Sequence, residues 1–571
     1  QFINIINKKE KKNVITIIIL TIFVGMLEMI GIGMVPTFLY GITEPNKFLE
    51  YFPNNIFQNF EYFVIYNTII FFLLFTLVIF IFKNFLLLIC NFIIINLRGN
   101  IREGIINRCN KYYNSINYLK FIRYNSSTII RNVTIESQNT SNALRDISVF
   151  FNEIIIIFFI LILNFIFNFK ITLVTIMVLI VPAFIYFIFT RKFLKKIGAQ
   201  NVEIRSLLIK TINQTIGSFK ENLIQKNIPF LENYFRRFLS KEINNIKKYN
   251  FLSVLPKIFF EIIAITIIII TVYFLKIDKA EIIQELPNFS FFLVSLIKLM
   301  PSISRISVFI SKILYNSKSV EIVHHLHTKL KDNKINLLNK KTSETKLFKF
   351  NNIINFENVS FDYSSDLKFL RNINFEINKK QIVLIKGVSG SGKSTLIDLI
   401  LGLLKPTQGK IKISGNNIEG VLEEWQKKIS LLPQKVFLLE DSIRNNIIFG
   451  SSVNSNSEEK IQDIIKKTNL EYLIDKFKDG IDTKLNEMGK NLSGGEIQRI
   501  GLARTLYRES EIIICDEPTT GLDDQNVEVI LKILNNISTE KMIILVSHEK
   551  ILEKICDVCI EVKNNTANII N

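Results

Sequence analysis

Apolar residues are crowded into the first 325 positions of this 571-residue chain, where they form long runs separated by polar stretches. A helix that crosses a bilayer needs roughly 20 mostly apolar residues. Runs of this length cover residues 14–40, 62–97, 147–168, 171–194, 252–276 and 289–314. The pattern therefore predicts a six-helix, all-α transmembrane domain over residues 1–325.

The two ends of that domain carry further signals. The first run is too long for the apolar core of a signal peptide and no small-residue cleavage site follows it, so we expect it to be retained. Because the sequence begins with Gln1, we expect the native start to lie upstream. Residues 326–350 are polar and lysine-rich, which indicates a linker. Residues 351–571 are predicted to form a soluble α/β domain, and a chain of this length is expected to divide into domains.

The net charge of +19 comes largely from two basic segments between the apolar runs, near residues 98–145 and 195–250. The short segments around residues 44–61 and 278–285 are acidic instead. An excess of lysine and arginine is typical of the cytoplasmic loops of a membrane protein. The distribution therefore favours a multi-pass membrane protein, and we expect no nucleic-acid partner.

Cysteine and histidine residues do not predict a metal site. Cys556 and Cys559 form a C-x-x-C, but the chain has no second such pair to complete a zinc site. His324, His325 and His327 follow the last apolar run, where we expect a solvated face. Reduced cytosolic thiols are the simplest interpretation of the five cysteines.

Residues 381–395 read QIVLIKGVSGSGKST, in which an apolar strand leads into G-x-x-x-x-G-K-S and then into a helix. Glycines let the loop turn its backbone N–H groups onto phosphate oxygens at the helix N-terminus, while the lysine reaches the β- and γ-phosphates and the serine binds Mg²⁺. The motif predicts ATP and Mg²⁺ as cofactors. The nucleotide-binding residues predicted in this loop are Gly387, Ser389, Gly390, Gly392, Lys393, Ser394 and Thr395.

Two further motifs fit phosphate chemistry. The strand IIICDE ends in Asp516 and Glu517, and the carboxyl edge of a parallel sheet is where ligands bind. Asp516 suits the Mg²⁺ shell, and Glu517 suits a general base for the attacking water. In NLSGGEIQR, Ser493, Gly494 and Gly495 open another helix and provide a second anion-binding terminus, which a single nucleotide in the same chain would not need.

With these motifs the chain resembles the ATP-binding cassette family, whose signature is LSGGQ; here Glu496 takes the last place. The resemblance implies that Tyr363 stacks on adenine and that His548 contacts the γ-phosphate. It also implies that Gln434 senses Mg²⁺ and that Asp523 lies in the D-loop. In this family two cassettes enclose two ATP molecules between them, so one cassette per chain implies a dimer, and intact motifs favour a homodimer.

Six predicted spans followed by one cassette resemble the exporter half-transporters of this family. The resemblance implies the bacterial inner membrane, with the cassette in the cytoplasm. No cysteine-protease domain precedes the first run, so the peptide-processing subclass is not expected.

Charged residues inside the apolar runs raise the free energy of inserting the helix into a membrane, so they are by default candidates for function. They are Glu28, Lys83, Glu153, Lys257, Glu261, Lys298 and Arg305. A cluster of the four cations, Lys83, Lys257, Lys298 and Arg305, would suit an anionic group of a substrate. The structural alternative is that these cations pair with Glu28, Glu153 or Glu261.

The same positions resemble the lipid-linked oligosaccharide flippases of bacterial protein N-glycosylation, which carry LMPS-x-x-RI in helix six and P-[RK]-I-x-x-E in helix five. The aromatic stretch of residues 48–62 resembles their external amphipathic segment. The resemblance implies an anionic, lipid-linked substrate and membrane lipids as partners. The rival interpretation within transporters is an exporter of peptides, drugs or other lipids. Outside that class, an ATP-gated channel and a non-transporting signalling ATPase stay open.

Overall fold

The computed structural model describes residues 7–43, 61–167, 169–274, 279–340, 353–364, 367–378, 381–451 and 457–570. The chain divides into two compact units. The first contains Gln1–Ile116 and Lys120–Thr342, and the second contains Asn117–Leu119 and Ser343–Asn571. The external stretch of residues 48–62 lies almost wholly outside the described residues.

The first half of the chain, residues 7–340, consists of helices joined by short turns wherever the structure describes it. Its helices are α1 (Lys8–Thr43), α2 (Glu61–Ser115), α3 (Tyr118–Phe121), α4 (Ser126–Arg131), α5 (Ser137–Phe167), α6 (Phe169–Gly217), α7 (Phe219–Gln225), α8 (Ile228–Phe274), α9 (Lys279–Tyr315) and α10 (Ser317–Lys340). The π-helical turn Asn132–Glu136 joins α4 to α5. This order confirms the predicted all-α first half.

Four helical segments among the described residues are long and apolar enough to cross a membrane. They are Lys8–Met34, Leu73–Ser115, Ser126–Ile166 and Phe292–Tyr315. The other two predicted spans, residues 171–194 and 252–276, fall on α6 and α8, so the count of six stays a prediction. Helix α2 has 55 residues, or about 80 Å at 1.5 Å per residue, which exceeds the hydrocarbon thickness of a bilayer. It therefore extends well beyond the membrane.

The predicted linker over residues 326–350 was wrong in its first part, because helix α10 continues to Lys340. Val323, Leu326 and Leu330 are buried at helical spacing and belong to a core that also contains Ile101 and Ile105 of α2. These apolar residues form a narrow stripe that packs α10 against its neighbours. The segment is polar on average because lysines and histidines surround that stripe.

The second unit contains two sheets. Their strands are β1 (Ile354–Ser364), β2 (Leu367–Ile377), β3 (Ile382–Lys386), β4 (Gln408–Ile413), β5 (Asn416–Asn417), β6 (Ile429–Leu432), β7 (Ile512–Asp516), β8 (Met542–Ser547), β9 (Val558–Lys563) and β10 (Thr566–Ile569). The smaller sheet is antiparallel, in the order β2-β1-β4-β5. The larger sheet has the order β10-β9-β3-β8-β7-β6, and only its β9–β10 pair is antiparallel.

Helices complete this unit. They are α11 (Lys393–Ile400), α12 (Leu422–Lys428), α13 (Ile443–Ile448), α14 (Ser457–Lys467), α15 (Glu471–Asp475), α16 (Gly494–Tyr507) and α17 (Asp524–Ser538). Strand β8 is buried along its whole length, which is typical of a central parallel strand with both faces covered. Because β3, β7 and β8 run parallel, their carboxyl ends meet at one edge, and the phosphate motifs follow these ends. The predicted α/β architecture is confirmed.

Candidate functional site

The P-loop lies between strand β3 and helix α11, as the motif predicted. Gly392 is the residue before α11 and has a φ of 109°, a conformation that L side chains rarely adopt. A side chain at Gly387 would place its Cβ 2.5 Å from the backbone oxygen of Val562. These glycines therefore let the loop pack against β9 and turn into the helix. Ser389, Gly390 and Ser394 remain exposed at the loop surface.

Lys393 is buried beneath this loop. Its Nζ donates to the carbonyl oxygens of Gly387 at 2.7 Å and Val388 at 3.1 Å. Among the described residues the ammonium has no carboxylate within ion-pair distance, so its charge is available for a phosphate. Together with the N-terminus of α11, this donor set fits a nucleotide triphosphate.

Tyr363 lies against the first turn of α11. Its hydroxyl and the Oγ1 of Thr395 are 3.0 Å apart, and its ring makes edge contacts with Phe361 and Phe369. The structure thus brings the predicted adenine-stacking residue to the P-loop helix.

Glu517 follows β7 and is the centre of a hydrogen-bonded group. Its Oε2 accepts from Gln434 Nε2 at 2.7 Å and from Thr520 Oγ1 at 3.2 Å, and its Oε1 lies 3.3 Å from Nδ1 of His548. Its φ of 49° is unusual for a residue other than glycine, and its N–H donates to the carbonyl of Val546 at 2.8 Å. Three predicted catalytic residues, Glu517, Gln434 and His548, are therefore in direct contact.

Two further acids lie close to this group. Burial, together with the neighbouring Glu517, raises the pKa of Asp516, while Lys393 opposes that shift. Burial and the charge of Asp516 raise the pKa of Asp398 to about 6. Clustered carboxylates whose ionisation is disfavoured are stabilised by a divalent cation. The arrangement of Asp516, Ser394 and Gln434 therefore fits Mg²⁺ bound with ATP. Sequence reasoning missed Asp398, although it follows the P-loop lysine by five residues on the same short helix.

The signature motif opens helix α16 with a capping box. Glu496 N–H donates to Ser493 Oγ at 3.3 Å, and Ser493 N–H donates to Glu496 Oε2 at 2.6 Å. Ser493 and Gly494 are exposed, so this helix N-terminus is open to an anion. Gly495 is buried against Asn526, and Asp523 in turn caps helix α17 through the N–H of Asn526.

In the helical unit, three of the four predicted substrate cations are paired with acids. Lys83 Nζ lies 2.6 Å from Glu28 Oε2, and Lys298 Nζ lies 3.0 Å from Glu28 Oε1. Arg305 binds Glu153 through two bonds, from Nε at 2.6 Å and from Nη2 at 2.9 Å. The structure therefore contains the ion pairs of the structural alternative, between α1, α2, α5 and α9.

Lys257 does not join this group. It is exposed on α8, as is Glu261 one turn further on, and no ion pair is found for either among the described residues. Helix α9 carries Lys298 and Arg305, and Pro301 between them does not interrupt the helix.

Part of the second unit matches a known protein family. The sequence pattern of the family described as "ABC transporter" matches residues 370–520, which span the P-loop, the signature and the Asp516–Glu517 pair. An export ATP-binding/permease protein of Rickettsia typhi is 28% identical over 492 residues, covering 81% of this chain and 80% of that protein. The chain is an ATP-hydrolysing transporter whose second unit contains an ABC transporter ATPase domain.

Other relatives match this chain mainly over the cassette. The ATP-dependent lipid A-core flippase of Pasteurella multocida is 36% identical over 197 residues, which are 34% of each chain. The mitochondrial iron-sulfur clusters transporter of Candida albicans is 40% identical over 185 residues, 32% of this chain and 24% of that protein.

A solved structure of a bacterial Atm1-family ABC exporter with ATP bound resembles the whole chain. Its TM-score is 0.79, and the alignment covers 98% of this chain and 95% of that one at 16% identity. The chain therefore has the exporter fold, with a helical half followed by an ATPase domain.

Proposed function

We propose that this ABC transporter works as a homodimer that flips an anionic, lipid-linked molecule across the bacterial inner membrane, and that a polyprenyl-pyrophosphate-linked oligosaccharide is its substrate. The observation that carries the proposal is the group of cations on apolar helices. Two of them, Lys298 and Arg305, keep 38% and 49% of their side-chain surface exposed although they lie on a membrane-spanning segment. Such residues are retained where they serve a function.

The proposed ATP chemistry follows from the contacts of Glu517. Its carboxylate takes a proton from the attacking water, while Gln434 holds Oε2 and His548 lies beside Oε1. Lys393 and the loop N–H groups bind the phosphates, and Tyr363 contacts the adenine. Bound Mg²⁺ neutralises charge that develops on the phosphates. Because the N-terminus of α16 is exposed, the γ-phosphate of the second subunit's ATP can bind at Ser493 and Gly494.

The name of the Pasteurella multocida relative, a lipid A-core flippase, supports a lipid-linked substrate. A second candidate function is the export of a peptide, a drug or another lipid. The ion pairs favour this alternative, because Glu28 and Glu153 offset most of the positive charge that an anionic substrate would meet.

The test is ATP-dependent movement of a fluorescent polyprenyl-pyrophosphate-linked sugar in vesicles. We expect Arg305→Ala to reduce flipping by at least about tenfold, and Arg305→Lys to be milder, because lysine keeps the charge but loses the planar two-point contact. Glu232→Gln, at an exposed acid of α8 outside the apolar runs, is the control. Wild-type flipping by well-folded Lys298→Ala/Arg305→Ala protein would contradict the anionic-substrate proposal.

A further inference from the structure

The acids that pair with the cations differ in how many cations they hold. Glu28 is shared by Lys83 and Lys298, whereas Arg305 is the one cation paired with Glu153 among the residues that the structure describes. Glu28 and Lys83 are both buried, with side chains 9% and 7% exposed, and their 2.6 Å contact satisfies both. If Lys298 leaves Glu28, neither Glu28 nor Lys83 becomes an unpaired buried charge. The Lys298–Glu28 contact is therefore the inexpensive one to break.

Breaking the Arg305–Glu153 pair would cost more free energy than breaking the Lys298–Glu28 contact. Glu153 is only 10% exposed, so loss of Arg305 would leave a buried carboxylate without its partner. The guanidinium is fixed by three hydrogen bonds, two to Glu153 and one from Nη2 to Ser302 Oγ at 2.9 Å. Its remaining nitrogen, Nη1, has no hydrogen bond within the described part of the chain. Arg305 can therefore accept an anion at Nη1 while it stays bound to Glu153.

Geometry places these two cations within reach of one head group. Lys298 and Arg305 are seven residues apart on α9, about 10 Å along the axis and nearly on one face. The Nζ of Lys298 lies 5.6 Å from the centroid of the Phe80 ring. The long, flexible stem of a lysine lets its ammonium move away from such a position toward a ligand.

We propose that an anionic head group binds between Lys298 and the open edge of Arg305, and that Glu28 competes with it for Lys298 while Glu153 holds Arg305 in place. Glu28 thus acts as an internal competitor and Glu153 as a positioning residue. This inference rests on the proposed function, since it assigns roles within the same substrate site. It also explains how an anion can bind where acids already pair with the cations.

The two roles predict opposite effects for the same substitution. Glu28→Gln removes the competing charge but keeps an acceptor for Lys83, so the anionic group should bind more tightly. Glu153→Gln releases Arg305 from its fixed geometry, so the group should bind more weakly. A purely structural role predicts weaker binding from both variants, and a purely electrostatic role predicts tighter binding from both.

The experiment measures stimulation of ATP hydrolysis by purified full-length protein in nanodiscs, with farnesyl pyrophosphate as the anionic probe and farnesol as its uncharged counterpart. For farnesyl pyrophosphate we expect the half-maximal concentration to fall about fivefold in Glu28→Gln and to rise about fivefold in Glu153→Gln, the range of a partly exposed ion pair. Farnesol should show no such split. Glu232→Gln, which changes an exposed acid of α8 outside the apolar runs, should match wild type.

The results distinguish an error in the roles of Glu28 and Glu153 from an error in the proposed function. If farnesyl pyrophosphate stimulates wild type but both variants shift in one direction, or Glu28→Gln does not shift, the assignment of roles is wrong while the proposed function stands. If wild type responds to no anionic probe, the proposed function fails and the inference falls with it. Should Glu28→Gln not fold, Lys298→Gln keeps the Lys83–Glu28 pair and should raise the half-maximal concentration. An unchanged value in that variant would also overturn the proposal.

Discussion

At the scale of single residues, Glu517 shows how a local conformation serves the site. The end of β7 places its backbone in the left-handed region, and the N–H bond to Val546 holds it there. Its carboxylate is then directed to Gln434, Thr520 and His548 rather than along the strand. Such an unfavourable backbone conformation is typical of functional positions.

Replacing Glu517 by glutamine tests its proposed role as the base. Glu517→Gln preserves the shape and an acceptor for Gln434, but the amide cannot take a proton from water. We expect ATP turnover to fall at least about a hundredfold while ATP binding is retained. Both are measured on the purified protein, with Glu553→Gln as control because Glu553 is an exposed partner of Lys386. Turnover near the control value would remove Glu517 from this role.

Asp398 gives a prediction for pH dependence. Its pKa is raised to about 6 in the folded protein, mainly by burial, from an ordinary value of 3.8. The folded state therefore binds this proton more tightly than the unfolded state, and stability present at low pH is lost as the pH rises from about 4 to about 6. Asp398→Asn removes the penalty and should stabilise the protein at pH 7.5 by on the order of 1 kcal/mol, after allowing for partial exposure.

The measurement for Asp398 is the melting temperature of the intact protein at pH 7.5 and pH 4.5. Asp398→Asn should melt higher than wild type at pH 7.5, and the difference should be clearly smaller at pH 4.5, where Asp398 is already protonated in the folded protein. Asp479→Asn, at an exposed acid of the same unit, should show no difference at either pH. A stabilisation of equal size at both pH values would show that charge is not its cause.

At the scale of elements, motifs with a fixed backbone role were the easiest to predict from sequence. The P-loop and the start of α16 were found because glycines and capping residues act on their near neighbours. Helix α10 was missed beyond residue 325, since its buried stripe of Val323, Leu326 and Leu330 only has meaning beside α2. Asp398 was missed for the same reason, because its electrostatic interaction with Asp516 depends on how β7 pairs in the sheet.

Packing between the signature helix and α17 predicts the effect of a single methyl group. A Cβ at Gly495 would lie 2.5 Å from Oδ1 of Asn526, whose side chain is bonded to Asp523. Gly495→Ala should therefore push Asn526 off its contacts and reduce ATP turnover several-fold. The second substitution Asn526→Ala should restore part of that activity by making room.

The control for this pair is Gly420→Ala, because a Cβ there meets no atom within 4 Å. Turnover and thermal stability are measured for the single and double variants. If Gly495→Ala has wild-type turnover, Asn526 can move away from the added methyl group without an effect on ATP turnover. If Asn526→Ala worsens the defect, the loss does not arise from this contact.

At the scale of the whole molecule, the division into a helical half and an α/β half could be predicted from run length and motifs. The spans on α6 and α8 stay predictions, beside the four that are long and apolar enough among the described residues. The cations Lys83, Lys298 and Arg305 were predicted as candidates, but which acid pairs with each depends on the packing of α1, α2, α5 and α9. Long-range contacts of this kind leave no local pattern.

The proposed dimer makes the last prediction, because it assigns each ATP to the P-loop of one subunit and the signature of the other. Lys393→Ala and Ser493→Ala should each abolish cooperative turnover in homodimers, the first through the phosphate contact and the second through the open N-terminus of α16.

In a mixed dimer one composite site combines both substitutions, while the other has an intact Lys393 and an intact Ser493. Mixed dimers, isolated through two different tags, should therefore regain up to about half of wild-type ATP turnover. If each site were formed within one chain, both subunits would carry a defect and the mixed dimers would stay inactive. Complete inactivity in verified mixed dimers would thus exclude the shared site, while recovery would place Ser493 at the nucleotide of the opposite subunit.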